Sequence, residues 1–289
     1  MKVAVIGANG QLGQDITRVY RGLNYLVHEL NHDIIEISCY NETLYSIKRL
    51  DPDIIINTAA MHNVEACEIS PDKAFLVNSI GARNLALLAN QLRIPIVHFS
   101  TDYVFSGSNN QPYTEDDMPL PINVYGSTKL SGENFIQQIA KCFFVVRVSG
   151  LYGRSPCRAK GGQNFVKLML ELAKTKDEIR VVNDEILSPT YTLDIAKQLE
   201  LLTRTNNFGT YHMASTGGCS WYQFARKIFE LSKIDIVLNI ASPNEFSSKV
   251  KRPKYTVLDN KNLDVNGINS MPHWSDGLER YLQSLSLIG

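Results

Sequence analysis

The chain begins with Lys2-Val-Ala-Val-Ile6 and continues directly into Gly7-Ala-Asn-Gly10-Gln-Leu-Gly13. The short apolar run predicts a buried β-strand, and the spaced glycines stand where a helical segment opens. Glycines permit a tight turn and close approach of the backbone to a pyrophosphate, while the helix N-terminus offers unpaired N–H groups. The spacing is GxxGxxG rather than GxGxxG, and a purely structural strand-to-helix turn is the alternative interpretation. The segment therefore predicts the first strand, loop and helix of a dinucleotide-binding sheet.

Four further apolar runs follow, separated by stretches long enough for helices. They occupy residues 25–30, 53–57, 94–99 and 142–147. Nearly continuous hydrophobic strands with helices between them are typical of a parallel sheet that is covered on both faces. The sequence thus predicts an α/β fold with a doubly wound parallel sheet of the Rossmann type.

The regular alternation fades after about residue 150, where prolines and glycines become denser. We expect a dinucleotide-binding domain over residues 1–150 and a smaller C-terminal region over 151–289 that mainly binds substrate. A returning segment near 186–205 is expected to rejoin the main sheet through a helix over 192–203. Within the C-terminal region we predict a helix over 164–174 and a strand over 179–183, with Trp221 and Trp274 as packing residues.

The composition excludes several classes of function. Lys and Arg total 29, and Asp and Glu also total 29, among 289 residues, so the charge balance gives no reason to expect nucleic acid or an anionic membrane as partner. The five cysteines are odd in number and lack CxxC spacing, which favours a reducing compartment over a disulfide framework or a zinc site. The six histidines lack metal-ligand spacing, so no metal is predicted. The first apolar run is too short for a signal peptide, and the cytoplasm is the expected location.

A tyrosine and a lysine stand four residues apart in Tyr125-Gly-Ser-Thr-Lys129, which places both on one face of a helix. There the ammonium is expected to stabilise a phenolate and to lower the pKa of Tyr125 from its usual value of about 10. Thr101 follows the fourth apolar run, at the edge of the sheet where ligands bind. Its hydroxyl could orient a carbonyl oxygen that Tyr125 protonates, and Lys129 could also bind the nicotinamide ribose. The set predicts hydride transfer with proton donation; a chance pair on an amphipathic helix and a strand-end cap are the alternatives.

The end of the second apolar run bears on the choice between NAD and NADP. An NAD site usually has an acid there for the ribose 2′-hydroxyl. Here Asn31 and His32 stand at the tip, and Glu29 lies two residues earlier, within the expected strand. We predict NADPH as the preferred cofactor, with His32 near the 2′-phosphate and NADH as the alternative.

Longer blocks that carry a family resemblance extend over nearly the whole chain. They are Gly7–Gly13, Asp51-Pro-Asp-Ile-Ile-Ile-Asn-Thr-Ala-Ala60, Cys67-Glu68, Ala74-Phe-Leu-Val-Asn78, Ser100-Thr-Asp-Tyr-Val-Phe105, Tyr125-Gly-Ser-Thr-Lys-Leu-Ser-Gly-Glu133, Arg147 with Tyr152-Gly153, Asn164-Phe165, Ser188-Pro-Thr190 and Arg252-Pro-Lys-Tyr-Thr-Val-Leu-Asp259. With these blocks the sequence resembles the extended short-chain dehydrogenase/reductase superfamily, and within it the dTDP-4-dehydrorhamnose reductase family.

The resemblance implies NADPH-dependent reduction of a nucleotide-linked 4-keto-6-deoxy sugar, with hydride delivered to the sugar C4 and Tyr125 as proton donor. It implies Thr101, Tyr125 and Lys129 as the catalytic set. By the same resemblance the cofactor would be held by Gly7, Gly10, Gln11, Leu12, Gly13, Glu36, Ile37, Ala59 and Ala60. The nucleotide sugar would be held by Thr101, Val104, Asn164, Phe165 and Arg252.

Departures from the family pattern concern the sugar side. Gly150 stands where the family often has Trp, Met61-His62 replaces a common Tyr, and the family's Asp-Gln-x-Gly-x-Pro-Thr appears as Asp184-Glu-Ile-Leu-Ser-Pro-Thr190. These changes leave the identity of the sugar open. In the loop 154–163, the basic residues Arg154, Arg158 and Lys160 either meet a substrate diphosphate or belong to a solvated loop.

Two other functions are compatible with the same motifs. One is a nucleotide-sugar epimerase, which would consume no cofactor. The other is an NADP-binding regulatory subunit that resembles the β subunit of methionine adenosyltransferase. A dehydratase is disfavoured because Tyr103 stands where that class has a glutamate. A homodimer is a further expectation.

Overall fold

The computed structural model describes residues 1–157, 161–242, 245 and 250–286. Its strands are β1 (Lys2–Ile6), β2 (Leu26–Leu30), β3 (Ile54–Asn57), β4 (Ile96–Thr101), β5 (Phe143–Val148), β6 (Leu151–Tyr152), β7 (Glu178–Val181), β8 (Ile186–Leu187), β9 (Thr190–Tyr191), β10 (Gly209–His212), β11 (Cys219–Ser220) and β12 (Val237–Ile240).

Its α-helices are α1 (Gln11–Gly22), α2 (Tyr40–Lys48), α3 (Val64–Ile69), α4 (Pro71–Phe75), α5 (Gly81–Leu92), α6 (Val124–Ile139), α7 (Phe165–Leu172), α8 (Thr192–Thr203), α9 (Trp221–Ser232), α10 (Lys261–Val265) and α11 (Trp274–Ser286). A π-helical segment, Leu76–Ile80, joins α4 to α5, and a 3-10 turn, Asp102–Val104, follows β4. Within the described ranges, no helix has both the length and the apolar character needed to cross a bilayer.

Six strands form one sheet in the order β2-β1-β3-β4-β5-β10, and every neighbouring pair is parallel. The chain moves from β1 outward to β2 and then crosses back to β3 on the other side of β1. This reversal leaves a crevice beyond the carboxyl ends of β1 and β3, which is where open α/β sheets bind ligands. The predicted doubly wound parallel sheet is confirmed.

Side chains of the central strands alternate between two cores, one on each face of the sheet. Val3 packs into a cluster with Ile16 of α1 and Leu199 of α8. Ala4 points the other way, into a cluster with Leu85 of α5. Both faces are therefore covered, which explains why the strands are almost continuously apolar.

The sixth strand and part of the main core come from the second half of the chain. α8 spans Thr192–Thr203, as predicted, and packs against α1. β10 then pairs with β5, although its Gly-Thr-Tyr-His sequence has too few aliphatic residues to be predicted as a strand. Leu263 and Met271 also enter the main core, beyond the predicted returning segment. The division into two domains stays a prediction.

A third core gathers aromatic side chains of the C-terminal region, including Tyr152, Phe224 and Tyr281. The predicted helix and short strand of this region are α7 and β7, and β7 pairs with β12. This core lies against the carboxyl ends of the main strands, because Tyr152 and Phe224 line the same cavity as Thr101.

Candidate active site

The glycine loop connects β1 to α1 and leaves the helix N-terminus open. Gly7 donates its N–H to the carbonyl of Leu30 over 2.8 Å. The N-cap residue Gly10 provides no side-chain cap, and the first turn of α1 carries no acid. A Cβ atom on Gly13 would lie 2.4 Å from the carbonyl oxygen of Gly7, so the loop requires glycine there. An uncapped, uncharged helix start behind a glycine turn fits the pyrophosphate of a dinucleotide.

Gln11 fastens this loop to the C-terminal region. Its side-chain Nε2 donates to the carbonyl oxygens of Gly153 and Ser155, each over 3.2 Å. The Ser155 hydroxyl in turn donates to Gln14 over 2.6 Å. The side-chain amide of Gln11 is therefore engaged within the protein.

A cavity of about 320 Å³ opens beyond the carboxyl ends of the central strands. It brings together most of the residues that the sequence predicted: Gly10, Gln11, Leu12, Gly13, Ala60, Thr101, Tyr125, Lys129, Asn164, Phe165 and Arg252. Residues from opposite ends of the chain thus meet in one site.

Other predicted residues do not line this cavity. Gly7 and Ala59 lie in the turns behind it, where a Cβ on Gly7 would be 2.8 Å from the Ala59 nitrogen. Val104 is fully buried and packs with Phe105 and Tyr113 in a small core cluster. Any substrate contact from Val104 would therefore come from its backbone, because its side chain has no access to the cavity.

The predicted adenosine-side residues Asn31, His32, Glu36 and Ile37 follow β2 and lie outside the cavity. The His32 side chain is 81% exposed, and its Nδ1 lies 3.3 Å from a Glu36 carboxylate oxygen. The Asn31 side chain accepts the N–H of Asp33 over 2.9 Å. Ile37 is buried and packs with α5. Of these residues, His32 has the free surface that a 2′-phosphate would need.

Tyr125 sits in the first turn of α6, which the side chain of Asn123 caps by accepting the N–H of Gly126 over 2.8 Å. Burial raises the pKa of Tyr125 well above its ordinary value, while a hydrogen bond with Thr101 opposes the shift and the Asp102 charge adds to it. The expected lowering of the Tyr125 pKa by Lys129 is therefore wrong for the protein without ligand. Burial is the largest cause of the shift, and it depends on tertiary packing that the spacing of Tyr125 and Lys129 does not reveal.

Lys129 is held at the base of the cavity and is 2% exposed. Its Nζ donates to the carbonyl oxygen of Phe99 on β4 over 2.6 Å. Burial lowers the pKa of Lys129 to about 8, and the charge of Glu133 one turn later opposes this shift. Glu133 itself accepts hydrogen bonds from Arg147, the shortest over 2.7 Å. The ammonium is thus still mainly protonated at neutral pH.

Asn78 positions the segment that follows β3. It accepts the N–H of Met61 over 2.8 Å and donates to the Met61 carbonyl over 2.9 Å and to Thr128 of α6 over 2.9 Å. Asn78 belongs to the π-helical segment, and such segments often occur at functional sites. The sequence contained this residue in a family block but gave no reason for its role.

The end of the cavity near Arg252 carries charged and aromatic side chains that the sequence did not single out. Arg252 donates to Glu65 of α3, 187 positions away in the sequence. Glu185 accepts the indole N–H of Trp221 over 3.1 Å, and burial raises the pKa of the Glu185 carboxyl. Trp221 packs against the third core, as predicted, and it also lines the cavity wall, where its ring centroid lies 4.5 Å from that of Phe165.

Asn164 lines the cavity, but its side-chain amide forms hydrogen bonds within the protein. It caps α7 by accepting the N–H of Lys167 over 3.0 Å, and it donates to Gly153 and to Tyr281. Arg154 does not line the cavity, and its charge acts on the buried Asp15. The other two basic residues of this loop, Arg158 and Lys160, lie outside the described residues, so for them the two alternatives, a diphosphate contact and a solvated loop, stay open.

Gly150 adopts a positive φ of 55° where the family often has Trp. A Cβ there would be 2.7 Å from a methyl group of Leu187 and 3.0 Å from the Cα of Pro189. A larger residue at this position would need a different path of the 186–190 segment. Gly150 and Leu187 both line the cavity, so this departure changes its wall.

A Rossmann-type sheet with a glycine loop at its crevice, and a tyrosine–lysine pair in the same cavity, define the class of dinucleotide-dependent oxidoreductases. The family model described as RmlD substrate binding domain matches residues 1–287. The chain belongs to this family.

Curated relatives and a solved structure agree with this assignment. The chain is 40% identical to the spore coat polysaccharide biosynthesis protein SpsK of Bacillus subtilis over 285 residues, which cover 99% of this chain and 98% of that protein. It is 32% identical to the dTDP-4-dehydrorhamnose reductase of Escherichia coli K12, covering 99% and 98%. The crystal structure of the Bacillus anthracis dTDP-4-dehydrorhamnose reductase in complex with NADP is 37% identical, covers 98% of this chain and 99% of that one, and superposes with a TM-score of 0.93.

These similarities decide several predictions. The predicted family and the predicted enzyme class, a nucleotide-sugar oxidoreductase, are confirmed. The Bacillus anthracis relative is in complex with NADP, which is the type of cofactor that the sequence predicted. The roles of individual residues and the direction of proton transfer remain predictions.

Proposed function

We propose that this protein reduces the C4 ketone of a nucleotide-linked 4-keto-6-deoxy sugar with NADPH. The observation that carries the proposal is the meeting of Thr101, Tyr125 and Lys129 in one cavity with the glycine loop of α1. When bound, NADPH supplies the hydride that is added to the sugar C4. The relatives named as dTDP-4-dehydrorhamnose reductases support this substrate class.

Tyr125 is the proposed proton donor to the ketone oxygen. A donor must carry its proton at working pH, and burial keeps the phenol protonated by raising its pKa. Tyr125 and Thr101 line the same cavity, so a ketone oxygen placed there could meet both hydroxyls. The same shift makes the phenol a weaker acid, so the phenolate needs stabilisation by a cation as the proton leaves.

Lys129 has two proposed tasks at the same place. Its ammonium provides positive charge near the phenolate that forms when Tyr125 gives up its proton, and it offers hydrogen-bond donors to the nicotinamide ribose. The bond to the Phe99 carbonyl uses one of its three donors and fixes its position. Two donors then remain for ligands.

Arg252 is the proposed contact for the substrate diphosphate. Its guanidinium lines the cavity, and its side chain is 33% exposed while paired with Glu65. A diphosphate would compete with the Glu65 carboxylate for the same donors, since guanidinium groups bind both by paired N–H···O bonds. The Phe165 and Trp221 rings beside it offer apolar surface to a base or sugar.

The assay that tests the function follows NADPH consumption with a dTDP-4-keto-6-deoxy sugar and identifies the sugar product. Stoichiometric oxidation of NADPH with formation of the 4-hydroxy sugar is expected. Interconversion of sugars with no net NADPH consumption would instead indicate the epimerase. Capture of a methionine adenosyltransferase together with no turnover would indicate the regulatory subunit. A cytoplasmic location and a homodimer stay predictions from the sequence.

A further inference from the structure

A buried carboxyl group lies directly behind the catalytic hydroxyl. Asp102 follows the last residue of β4 and is 4% exposed. Its Oδ1 is 2.9 Å from the hydroxyl oxygen of Thr101. Its Oδ2 accepts the hydroxyls of Ser149 and Thr256 over 2.8 and 2.7 Å. Three separate segments of the chain therefore supply a hydroxyl to one carboxyl group.

The two oxygens of Asp102 have different surroundings, and this difference matters for Thr101. Oδ2 accepts hydrogen bonds from the hydroxyls of Ser149 and Thr256, whereas Oδ1 faces the hydroxyl of Thr101. A threonine hydroxyl has one proton to donate. If Asp102 is ionised, the Thr101 hydroxyl donates its hydrogen bond to Oδ1, and only lone pairs of its oxygen can face the cavity. If Oδ1 carries a proton, Asp102 donates to Thr101, and the Thr101 proton is free for a ligand.

We propose that Asp102 is a positioning residue that acts through Thr101: with a proton on Oδ1 it turns the Thr101 hydroxyl into a donor toward the ketone oxygen. The proposal rests on the proposed ketone reduction. No proton leaves Asp102 or Thr101 during the reaction, because Tyr125 supplies the one that the product gains. Thr101 contributes a hydrogen bond that strengthens as negative charge develops on the oxygen.

Burial favours the neutral form of the Asp102 carboxyl. Burial raises the pKa of the Asp102 carboxyl, and the hydroxyls of Thr256, Ser149 and Thr101 oppose the shift only in part. The phenols of Tyr103 in the same turn and Tyr125 on α6 face it, and a negative charge on Asp102 raises the pKa of both. An ionised Asp102 would thus work against the phenolate that Tyr125 must become.

Other charged groups belong to the same cavity wall. Lys129 on α6 and Arg252, four residues before Thr256, both line the cavity that Asp102 lines. The Lys129 ammonium is directed to the Phe99 carbonyl and the Arg252 guanidinium to Glu65. Two other segments contact the Asp102 carboxyl, and both do so with neutral hydroxyls. Ser149 follows β5, and Thr256 belongs to the 250–257 segment.

Asparagine reproduces the neutral pattern and gives a direct test. In Asp102→Asn the amide oxygen can accept from Ser149 and Thr256, and the amide nitrogen can only donate to Thr101. We expect this variant to retain kcat within about threefold, whereas Asp102→Ala should lose about 10- to 100-fold in kcat. An Asp102→Asn variant as inactive as Asp102→Ala, with wild-type protein active, would overturn the proposal.

The pH profile of kcat provides a readout that a purely structural role would not move. Wild-type kcat should fall as pH rises through the pKa of Asp102. The ionised carboxylate accepts the hydrogen bond that Thr101 would otherwise donate to the ketone oxygen. The Asp102→Asn variant should lack this step, and a step that persists in it would contradict the proposal.

A double-mutant cycle separates action through Thr101 from a general loss of packing. NADPH binding by each variant reports whether its fold is intact. In the Thr101→Val background, where no hydroxyl remains to be oriented, replacing Asp102 by Asn or Ala should change kcat less than twofold. Full additivity of the two substitutions would show that Asp102 acts independently of Thr101. An inactive wild-type protein would instead count against the proposed function itself.

Discussion

The catalytic end of the cavity and its substrate end are held in different ways. Lys129 and Thr101 are nearly inaccessible, and Lys129 is fastened to a backbone carbonyl of the central sheet. Arg252 and Glu65 are 33% and 46% exposed and contact each other across distant parts of the chain. Burial at the catalytic end fixes the reacting groups and changes their pKa values. Partial exposure at the substrate end leaves charged groups that a ligand can rearrange. The chemistry should therefore be sensitive to small changes at the catalytic end, and the choice of substrate to changes at the other end.

The largest effect should come from the proposed proton donor. Tyr125→Phe keeps the ring and removes the hydroxyl, so kcat should fall about 10²- to 10⁴-fold while NADPH binding is retained. Tyr45→Phe, which changes an exposed ring far from the cavity, is the control. A Tyr125→Phe variant with wild-type kcat would remove the proton-donor role.

The glycine loop should be the next most sensitive point. In Gly13→Ala the new Cβ meets the Gly7 carbonyl at 2.4 Å, so the dissociation constant for NADPH should rise about 10- to 100-fold. Gly22→Ala, at the other end of the same helix, is a matched control because its Cβ meets nothing within 4 Å. Isothermal titration calorimetry would compare the two, and equal affinities would mean that the loop does not bind the cofactor.

The buried ammonium should set the alkaline limit of activity. The pKa of Lys129 is lowered to about 8, so its positive charge is present below that pH and is lost above it. We expect kcat/KM to fall about tenfold per pH unit above this pKa, as Lys129 loses its charge. Lys129→Arg, which keeps its charge at these pH values, should lack this decline. The same alkaline limb in both proteins would assign it to another group.

The substrate end should respond through KM rather than kcat. Arg252→Gln should raise KM for the nucleotide sugar about tenfold, because a charged donor to the diphosphate is lost. Glu65→Gln should lower KM, because it removes the anion that competes with the diphosphate. Arg204→Gln breaks a comparable ion pair with Glu200, away from the cavity. Similar values of KM for all three variants would exclude the proposed diphosphate contact.

The smallest effect is expected at the exposed residue His32. His32→Ala should reduce the preference for NADPH over NADH, measured as the ratio of kcat/KM values, by about two- to fivefold, as for an exposed charge interaction. His28→Ala, on the preceding strand, controls for the loss of an imidazole. A strong preference for NADH in the wild-type protein would contradict the predicted site.

The sequence predicted the catalytic end better than the substrate end, and the reason is physical. Helical periodicity alone puts Tyr125 and Lys129 on one face of a helix. A parallel sheet brings Thr101, at the end of its strand, to the same edge as the glycine loop that begins at Gly7. The pairing of Arg252 with Glu65 depends on how segments 187 residues apart come together. No local pattern encodes that distance.

Burial was the other quantity that local patterns could not supply. The predicted direction of the Tyr125 pKa shift was wrong because burial of the phenol, its largest cause, follows from tertiary packing. Trp221 packs against the third core as predicted, but its second place, at the cavity wall beside Phe165, depends on the tertiary fold. β10 was missed because its place at the sheet edge requires no run of aliphatic residues.

The transfer of the hydride itself gives the most direct measurement of the central claim. NADPH deuterated at the reactive nicotinamide carbon would be incubated with the protein and a dTDP-4-keto-6-deoxy sugar, and the product examined by mass spectrometry and NMR. Reduction at the sugar C4 predicts one deuterium at that carbon for each NADPH consumed. A product without deuterium at C4, or no consumption of NADPH, would contradict the proposed function.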